Sequence, residues 1–230
     1  MHINTTTRTN LSLLRLMQLV SPALPIGMYS YSQGLEKAVE DGWLSDEAAV
    51  EEWLEGLLER CLTRTDGPVL ARLYDAWEHN DCAQVLHWSR FLVACRETDE
   101  LRSEDRQTGQ ALARVLAGLD TPQAGAWLHH PSASLATLFS LAGVRWQIKK
   151  PDLLSGYCWA WLENQVLCAV KLVPLGQAAG QRLLANLAKR IPAAINAGLL
   201  LEDGEIGGSS PMLGLASSRH EAQYSRLFRS

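Results

Sequence analysis

The sequence lacks the short motifs that bind nucleotides through a phosphate-cradling loop. Its 230 residues contain no G-x-x-x-x-G-K-[ST] segment and no G-x-G-x-x-G segment after a strand-like run. The richest glycine stretch, residues 201–211, carries Glu202 and Asp203, whose negative charge is unsuited to holding phosphate. We therefore predict no nucleotide site here, and no cofactor.

Cysteine is scarce and scattered. The five cysteines are an odd number, and no C-x-x-C pair is present, which argues against a structural zinc site or a dithiol redox motif. A chain of this length needs no disulfides to form a core, so we expect reduced thiols and a cytoplasmic location. Cys158 and Cys168 lie in an apolar segment, where burial raises a thiol pKa and makes the group inert.

An excess of positive charge is also missing. The formal net charge is −4, so no basic field attracts nucleic acid or an anionic membrane. Residues 11–20 resemble the apolar part of a signal sequence, but Arg15 and Gln18 interrupt them and the SPALP that follows is a poor cleavage site. We predict instead a helix over residues 11–20 capped by Asn10, and neither a nucleic-acid nor a membrane partner.

Signals for β-strands are weak. Leu and Ala dominate, Ile and Val are scarce, and no Asn-Gly or Asp-Gly pair lies between two alternating runs. We predict an all-α fold, with a single compact domain over residues 1–230 built from roughly eight to ten helices. Residues 1–9 are polar, and we expect them to form a flexible N-terminal segment.

One segment, residues 151–173, is apolar on every side of a helix, as in a core helix or a membrane span. Glu163, Asn164 and Gln165 lie at its midpoint, where a bilayer would oppose the carboxylate alone by about 2.5 kcal/mol. A protein core can give such groups hydrogen-bond partners. We therefore predict a buried central helix at about residues 153–173. Its most buried residues should include Trp159, Trp161 and Val166.

The nearest approach to a metal site is the spacing His79-x2-Cys82-x4-His87. These ligand types suit nickel, copper or zinc. A helix break at residues 80–81 means that the three side chains need not converge. The alternative is two exposed histidines and a small buried cysteine. A helical metal-binding protein or enzyme that carries nickel through these residues stays open as a second hypothesis.

A run of alternating charges precedes the apolar half of residues 97–118. It fits a solvated helix face with i,i+4 ion pairs, or else a charged docking surface. Its members are Arg96, Glu97, Asp99, Glu100, Arg102, Glu104, Asp105 and Arg106. No G-x-S-x-G or comparable signature of a nucleophile is present. The residues favour a binding protein over an enzyme.

Four stretches together resemble one known family. They are LPIGMYSYSQGLE (residues 24–36), ETDELRSE (residues 97–104) followed by Gly109, VPLGQAAGQ (residues 173–181) and HEAQYSRLF (residues 220–228). In this order and spacing they are similar to the blocks of the UreF family of urease accessory proteins.

The resemblance implies an all-α fold and a non-catalytic role in building the nickel centre of urease. UreF-like proteins join the accessory protein UreD (UreH in some species) and the nickel-carrying GTPase UreG, and then act on apo-urease. They are thought to couple GTP hydrolysis by UreG to nickel delivery, and they tend to dimerise. The missing phosphate loop and the lack of a firm metal site agree with this role, since the GTPase and the nickel belong to partners.

The resemblance also implies which residues contact partners. Tyr29 and Arg226 match positions implicated in engaging UreG, and both side chains commonly anchor interfaces. The alternatives are a core aromatic for Tyr29 and a solvated charge for Arg226. Further contact residues predicted are Tyr224, Phe228, Glu97 and Arg102. Residues 218–230, here called the tail, are short and polar, so we expect a mobile segment that a partner orders.

Overall fold

Helices account for nearly all of the regular structure in the computed structural model, which describes the backbone of residues 6–230 and side chains from residue 11 onward. The α-helices are α1 (Thr6–Leu19), α2 (Leu35–Glu40), α3 (Glu47–Leu57), α4 (Gly67–Glu78), α5 (Cys82–Ala94), α6 (Asp99–Ala117), α7 (Leu135–Arg145), α8 (Lys150–Leu172), α9 (Gln177–Ala188), α10 (Ile191–Leu199) and α11 (Pro211–His220). Short 3-10 helices lie at Met28–Ser30, Pro122–Trp127 and Asp203–Glu205. No strand occurs within residues 6–230, and the predicted all-α class is confirmed.

The N-terminal helix begins earlier than the sequence suggested. Helix α1 starts at Thr6, so residue 10 lies inside it and the predicted N-cap at Asn10 is wrong. Threonine is only moderately unfavourable in a helix and does not by itself stop one. Of the segment predicted to be flexible, residues 1–5 lie outside the described residues. Among those that are described, no helix is both long enough and apolar enough to span a bilayer.

Side-chain caps fix the starts of four helices, α3, α5, α6 and α7. Asp46 Oδ1 accepts from the Ala49 N–H at 2.9 Å at the start of α3. Thr98 Oγ1 accepts from the Leu101 N–H at 3.2 Å at the start of α6, and Ser134 Oγ accepts from the Thr137 N–H at 3.1 Å at the start of α7. Each oxygen takes up one of the backbone donors that a helix start leaves without an intrahelical partner.

A π-helical segment, Leu58–Asp66, joins α3 to α4 without a break in the helical path. Asp66, the last residue of this segment, has helical backbone and directly precedes α4. The loop after α10 packs on this segment: the Gly207 N–H donates to the Arg64 carbonyl at 2.9 Å, and Thr65 Oγ1 donates to the Gly208 carbonyl at 3.3 Å. Residues 201–210 therefore lie against the core helices as a docked loop.

Helix α8 is the central helix that the sequence predicted. It packs against α2, α4, α7, α9 and α10, and Leu162 and Val166 on it are fully buried. The predicted burial of Trp159 and Trp161 is wrong, since both are only half-buried. An indole N–H needs a polar partner. Trp161 Nε1 finds one in Gln33 Oε1 at 2.9 Å, near the edge of the core.

The three polar residues in the middle of α8 have different surroundings. Asn164 is buried, and its Nδ2 donates to the Tyr31 carbonyl at 3.0 Å. Glu163 accepts from the Tyr29 hydroxyl at 3.3 Å. Gln165 is fully buried, yet its amide has no hydrogen-bond partner among the described residues. The prediction that the core satisfies all three is therefore confirmed for Glu163 and Asn164 and wrong for Gln165.

Helices α6 and α7 approach closely where Gly109 faces Ser134. A Cβ atom at Gly109 would lie 2.5 Å from the Ser134 carbonyl carbon. The absence of a side chain therefore lets the two helices pack, and it holds the first half of α6 against the core. That half of α6 carries the charged run of the sequence.

Candidate functional site

The tail folds back onto residues 29–36, here called the N-terminal block, and onto the start of α6. The Arg229 N–H donates to the Ser30 carbonyl at 2.8 Å, and the Ser230 carbonyl accepts both from the N–H and from the hydroxyl of Ser32 at 2.6 Å. We call this region the tail junction; it comprises residues 29–36, residues 99–107 and the tail. Three of the four stretches that carried the family resemblance contribute to it.

Glu36 is the main anchor of the tail. Its carboxylate is buried and accepts the Leu227 N–H at 2.7 Å and the Phe228 N–H at 2.9 Å. Two backbone donors on one carboxylate are charge-assisted hydrogen bonds, which are stronger than neutral ones. The Phe228 ring is 6% exposed, and the Lys171 ammonium lies 5.5 Å from its centroid.

His220 ends α11 and is completely buried between two carboxylates. Its Nδ1 lies 2.8 Å from Glu100 Oε2, and its Nε2 lies 3.4 Å from Glu36 Oε2. The second oxygen of Glu100 accepts from Arg226 Nη1 at 2.8 Å. A continuous chain of charged groups therefore runs from α2 through α11 and α6 to the tail.

A left-handed glycine lets α11 lie directly on the N-terminal block. Gly34 has φ = 77°, and a Cβ atom there would lie 2.9 Å from the Ser217 backbone nitrogen. Glycine adopts positive φ without the strain that a side chain brings. On its other side, α11 is tied to α6 by the 2.7 Å hydrogen bond between the hydroxyls of Ser217 and Thr98.

Tyr29 lies on the 3-10 helix at the edge of the tail junction and is half-buried. Its hydroxyl donates to Glu163 Oε2 at 3.3 Å. Burial, followed by the negative charge of Glu163, raises the pKa of Tyr29 above its ordinary value. The phenol thus remains a neutral donor.

The tail junction leaves two large side chains of the tail exposed. Tyr224 is fully exposed and Leu227 is 65% exposed. Beside them lies a groove of about 200 Å³ lined by Tyr31, by Asp99, Glu100, Ser103 and Gln107 of α6, and by Glu221 and Arg229 of the tail. Exposed apolar residues within a charged rim are typical of a protein-binding surface.

Two further residues that were predicted to contact a partner make contacts within the chain. Phe228 is buried in the tail junction, and its contact with a partner stays a prediction. Arg102 pairs with Asp99, and its Nη1 donates to the Arg96 carbonyl at 2.7 Å, which secures the start of α6. Glu97 is exposed, just before the cap residue of α6.

The charged run is not a solvated face throughout. Arg96 bonds Asp66 through both Nη atoms, at 3.0 and 2.6 Å, and Asp105 through Nε at 3.0 Å. Tyr157 adds a hydroxyl donor to Asp66 at 3.1 Å. Burial acts to lower the pKa of Arg96, but the two aspartates raise it well above its usual range. Local spacing gave no sign of this buried cluster, because Asp66 lies 30 positions away from Arg96 in the sequence.

Glu104 is the buried carboxylate between this cluster and the tail. It accepts from Gln33 Nε2 at 2.7 Å and from the Ser230 hydroxyl at 3.0 Å. Burial raises the pKa of Glu104 to about 7, although both hydrogen bonds act in the opposite direction. Glu104, Gln33 and Arg96 line an internal cavity of about 80 Å³.

The structure places the tail against its own chain, and the expectation that a partner orders it stays a prediction. In the structure the chain itself supplies the contacts that the sequence analysis assigned to a partner, through Ser32, Glu36, Glu100 and Glu104. The tail looked too polar to be buried because its partners lie far away in the sequence. Dependence of partner binding on the tail remains a prediction.

The residues of the alternative metal site lie on either side of the break between α4 and α5. His79 is exposed at the end of α4, with its Nδ1 2.8 Å from the Asp75 carbonyl oxygen. Cys82 and His87 on α5 are also exposed, so the small buried cysteine expected at position 82 is wrong. Within the part of the chain that the structure describes, no three His, Cys, Asp or Glu side chains converge on a metal position.

The cysteines of the central helix are inert, as predicted. Burial raises the thiol pKa of Cys158 to about 12, with the charge of Asp66 acting in the same direction. Burial likewise raises the pKa of Cys168 to about 12. A thiol protonated at neutral pH is a poor nucleophile and a poor metal ligand.

Sequence reasoning missed Glu36, Glu104 and His220 as members of the site. All three lie at the ends of the stretches that carried the family resemblance, which was the available signal. Their spacing in the sequence could not show that these side chains lie together in the fold. The buried ion pairs of the tail junction stabilise its surface. The tail junction contains no nucleophile paired with a base.

Similarity to known proteins extends over nearly the whole chain. The UreF family model matches residues 44–188. The chain is 55% identical over 228 residues to a protein of Alkalilimnicola ehrlichii named urease accessory protein UreF, which covers 99% of this chain and 100% of that protein. A relative of the same name from Teredinibacter turnerae is 50% identical and covers 96% of this chain and 100% of that protein. Another, from Pseudomonas entomophila, is 49% identical and covers 96% of this chain and 99% of that protein.

Proposed function

The chain belongs to the UreF family of urease accessory proteins, and from this membership we propose that it acts as a scaffold in the insertion of nickel into urease. In this role it joins UreD (UreH) and the GTPase UreG, acts on apo-urease, and couples GTP hydrolysis to nickel delivery. It is not itself a catalyst. It works in the cytoplasm, as one domain over residues 1–230 that pairs with a second copy in the complex.

The observation that carries this proposal is the tail junction. Three separate stretches of sequence meet there, and they are held by buried charges whose common effect is to present a fixed outer surface. That surface exposes Tyr224 and Leu227 beside an acidic groove. Aromatic and arginine side chains on a preorganised surface are the usual anchors of protein interfaces.

Arg226 has the chemistry of such an anchor. Its side chain remains about one-third exposed while Glu100 fixes its position. A guanidinium held in place loses less entropy when it makes further contacts with a partner carboxylate. Tyr29 and Glu97 are further contact residues of the proposal, since both retain solvent-exposed area.

Co-purification from cells that produce urease tests the proposal. The tagged chain should retain UreD, UreG and the urease subunits, and urease made without the chain should lack nickel and activity. A matched strain that carries Arg182→Ala should behave as wild type, because Arg182 pairs with Glu47 on α3, outside the tail junction. Full urease activation without the chain would contradict the proposal.

A further inference from the structure

His220 faces charged groups from three elements. Glu36 comes from α2, Glu100 comes from α6, and Arg226 of the tail reaches the ring through Glu100. The ring is fully buried, so no solvent competes for its nitrogens. Other charged groups in the same layer are Glu104 of α6, Lys171 of α8 beside Phe228, and the Arg219–Asp41 ion pair at the edge.

The geometry of the ring requires a particular protonation state. A neutral imidazole has one N–H donor and one lone-pair acceptor, and only the imidazolium has two donors. Both ring nitrogens of His220 face carboxylate oxygens, at 2.8 and 3.4 Å. Carboxylates accept and do not donate, so a neutral ring would place a lone pair against one of them.

We propose that His220 is a proton-dependent latch, which docks the tail and positions Arg226 only while its ring is protonated. With the ring charged, Glu36 and Glu100 are balanced by His220 and Arg226. Loss of the proton leaves one net negative charge in a buried cluster and removes one donor, which buried groups tolerate poorly. Glu36 also accepts hydrogen bonds from the backbone of Leu227 and Phe228. A weaker interaction between His220 and Glu36 therefore weakens the docking of the tail.

The direction of the pH dependence follows from this balance. Docking binds a proton at His220, so lower pH favours the docked tail and higher pH favours its release. Glu104 acts in the same direction, because burial raises its pKa and its protonated form is favoured in the docked state. The two groups must therefore be separated by substitution.

Amide hydrogen exchange of Leu227 and Phe228 in the isolated chain measures docking. Corrected for intrinsic exchange, protection in the wild type should fall as pH rises, by at most about tenfold per pH unit for the release of one proton. In the double variant His220→Gln/Glu104→Gln, which removes both titrating groups, this dependence should disappear and protection should be low throughout. In Glu104→Gln and in the exposed-site control His87→Gln, the part of the pH dependence of protection that His220 causes should remain.

A wild-type protection that is constant with pH, or a pH dependence that survives in His220→Gln/Glu104→Gln, would overturn the latch. If His220→Gln/Glu104→Gln does not fold, as judged by its melting curve, Glu100→Gln provides the second test. Removal of one carboxylate should make the tail leave at lower pH than in the wild type. An unchanged release profile in that variant contradicts the inference.

The consequence for partners rests on the proposed function. If the tail junction recruits UreG, recruitment by the wild type should decline as pH rises in parallel with tail protection. The exchange measurement uses the chain alone, so its failure is distinguishable from failure of the partner assignment. Protection that responds to pH while recruitment does not would keep the latch and remove the tail from the UreG surface.

Discussion

The guanidinium of Arg226 donates to Glu100 Oε1 at 2.8 Å, although 126 positions separate the two residues in the sequence. Its Nε also donates to the Gln223 carbonyl at 3.2 Å. An arginine that the sequence places in a polar tail is thereby fixed against α6. Preorganisation of this kind makes Arg226 the first residue to test for partner binding.

Arg226→Ala should weaken UreG binding to the complex of this chain with UreD by about 2 kcal/mol, which is about 30-fold in affinity. The substitution removes an anchoring side chain and leaves Glu100 with one partner fewer. Titration of UreG onto the purified complex, at physiological salt, measures the change. Arg182→Ala is the control, and recovery of UreG at the wild-type level by Arg226→Ala would exclude Arg226 from the site.

Phe228 and Leu227 are neighbours with opposite environments, so they form a matched pair. Phe228→Ala should lower the free energy of unfolding by about 3 kcal/mol, because it leaves a hole under the tail. Leu227→Ala, at a position that is 65% exposed, should change it by less than about 0.5 kcal/mol. Chemical denaturation of both variants tests the docked tail. Equal stability of the two would show that the tail does not contribute to the fold.

Stability should depend on pH through Glu104. Burial raises the pKa of this group from 4.5 to about 7 in the folded chain. The folded state therefore binds the proton more tightly than the unfolded state, and stability should rise as pH falls from about 7 towards 4.5. A difference of this size corresponds to about 3 kcal/mol.

Glu104→Gln removes this titration and should flatten the profile of unfolding free energy against pH, with the largest gain above about pH 7. Glu59→Gln, at an exposed position, should leave the profile unchanged. Denaturant melts over the pH range are the measurement. A Glu104→Gln profile as steep as that of the wild type would assign the dependence to another group.

Replacement of His79, Cys82 and His87 by Ala should leave urease activation in cells nearly intact. The three side chains are exposed on either side of the break between α4 and α5 and share no metal position. Urease activity and the nickel content of the purified variant test whether these residues carry nickel. Loss of activation by a variant that still folds and still joins its partners would favour the carrier hypothesis.

Local signals in the sequence were sufficient for the all-α class and for the central helix, but not for the start of α1. Thr98 and Ser134 cap helices because an oxygen three positions before a free N–H can reach it, and this depends only on neighbours in the chain. The apolar run of α8 likewise predicted a buried central helix, since a segment apolar on all sides has to be covered all round. Family membership followed from the order of four short stretches.

Tertiary structure alone decided which charges are buried and what holds the tail. The sequence shows Arg96, Glu104 and His220 as ordinary polar residues, because burial of a charge depends on a partner that spacing does not reveal. Their partners lie in other elements: Asp66 for Arg96, Gln33 for Glu104 and Glu36 for His220. A helix start is determined by atoms a few residues apart, whereas a buried ion pair is determined by how distant helices pack.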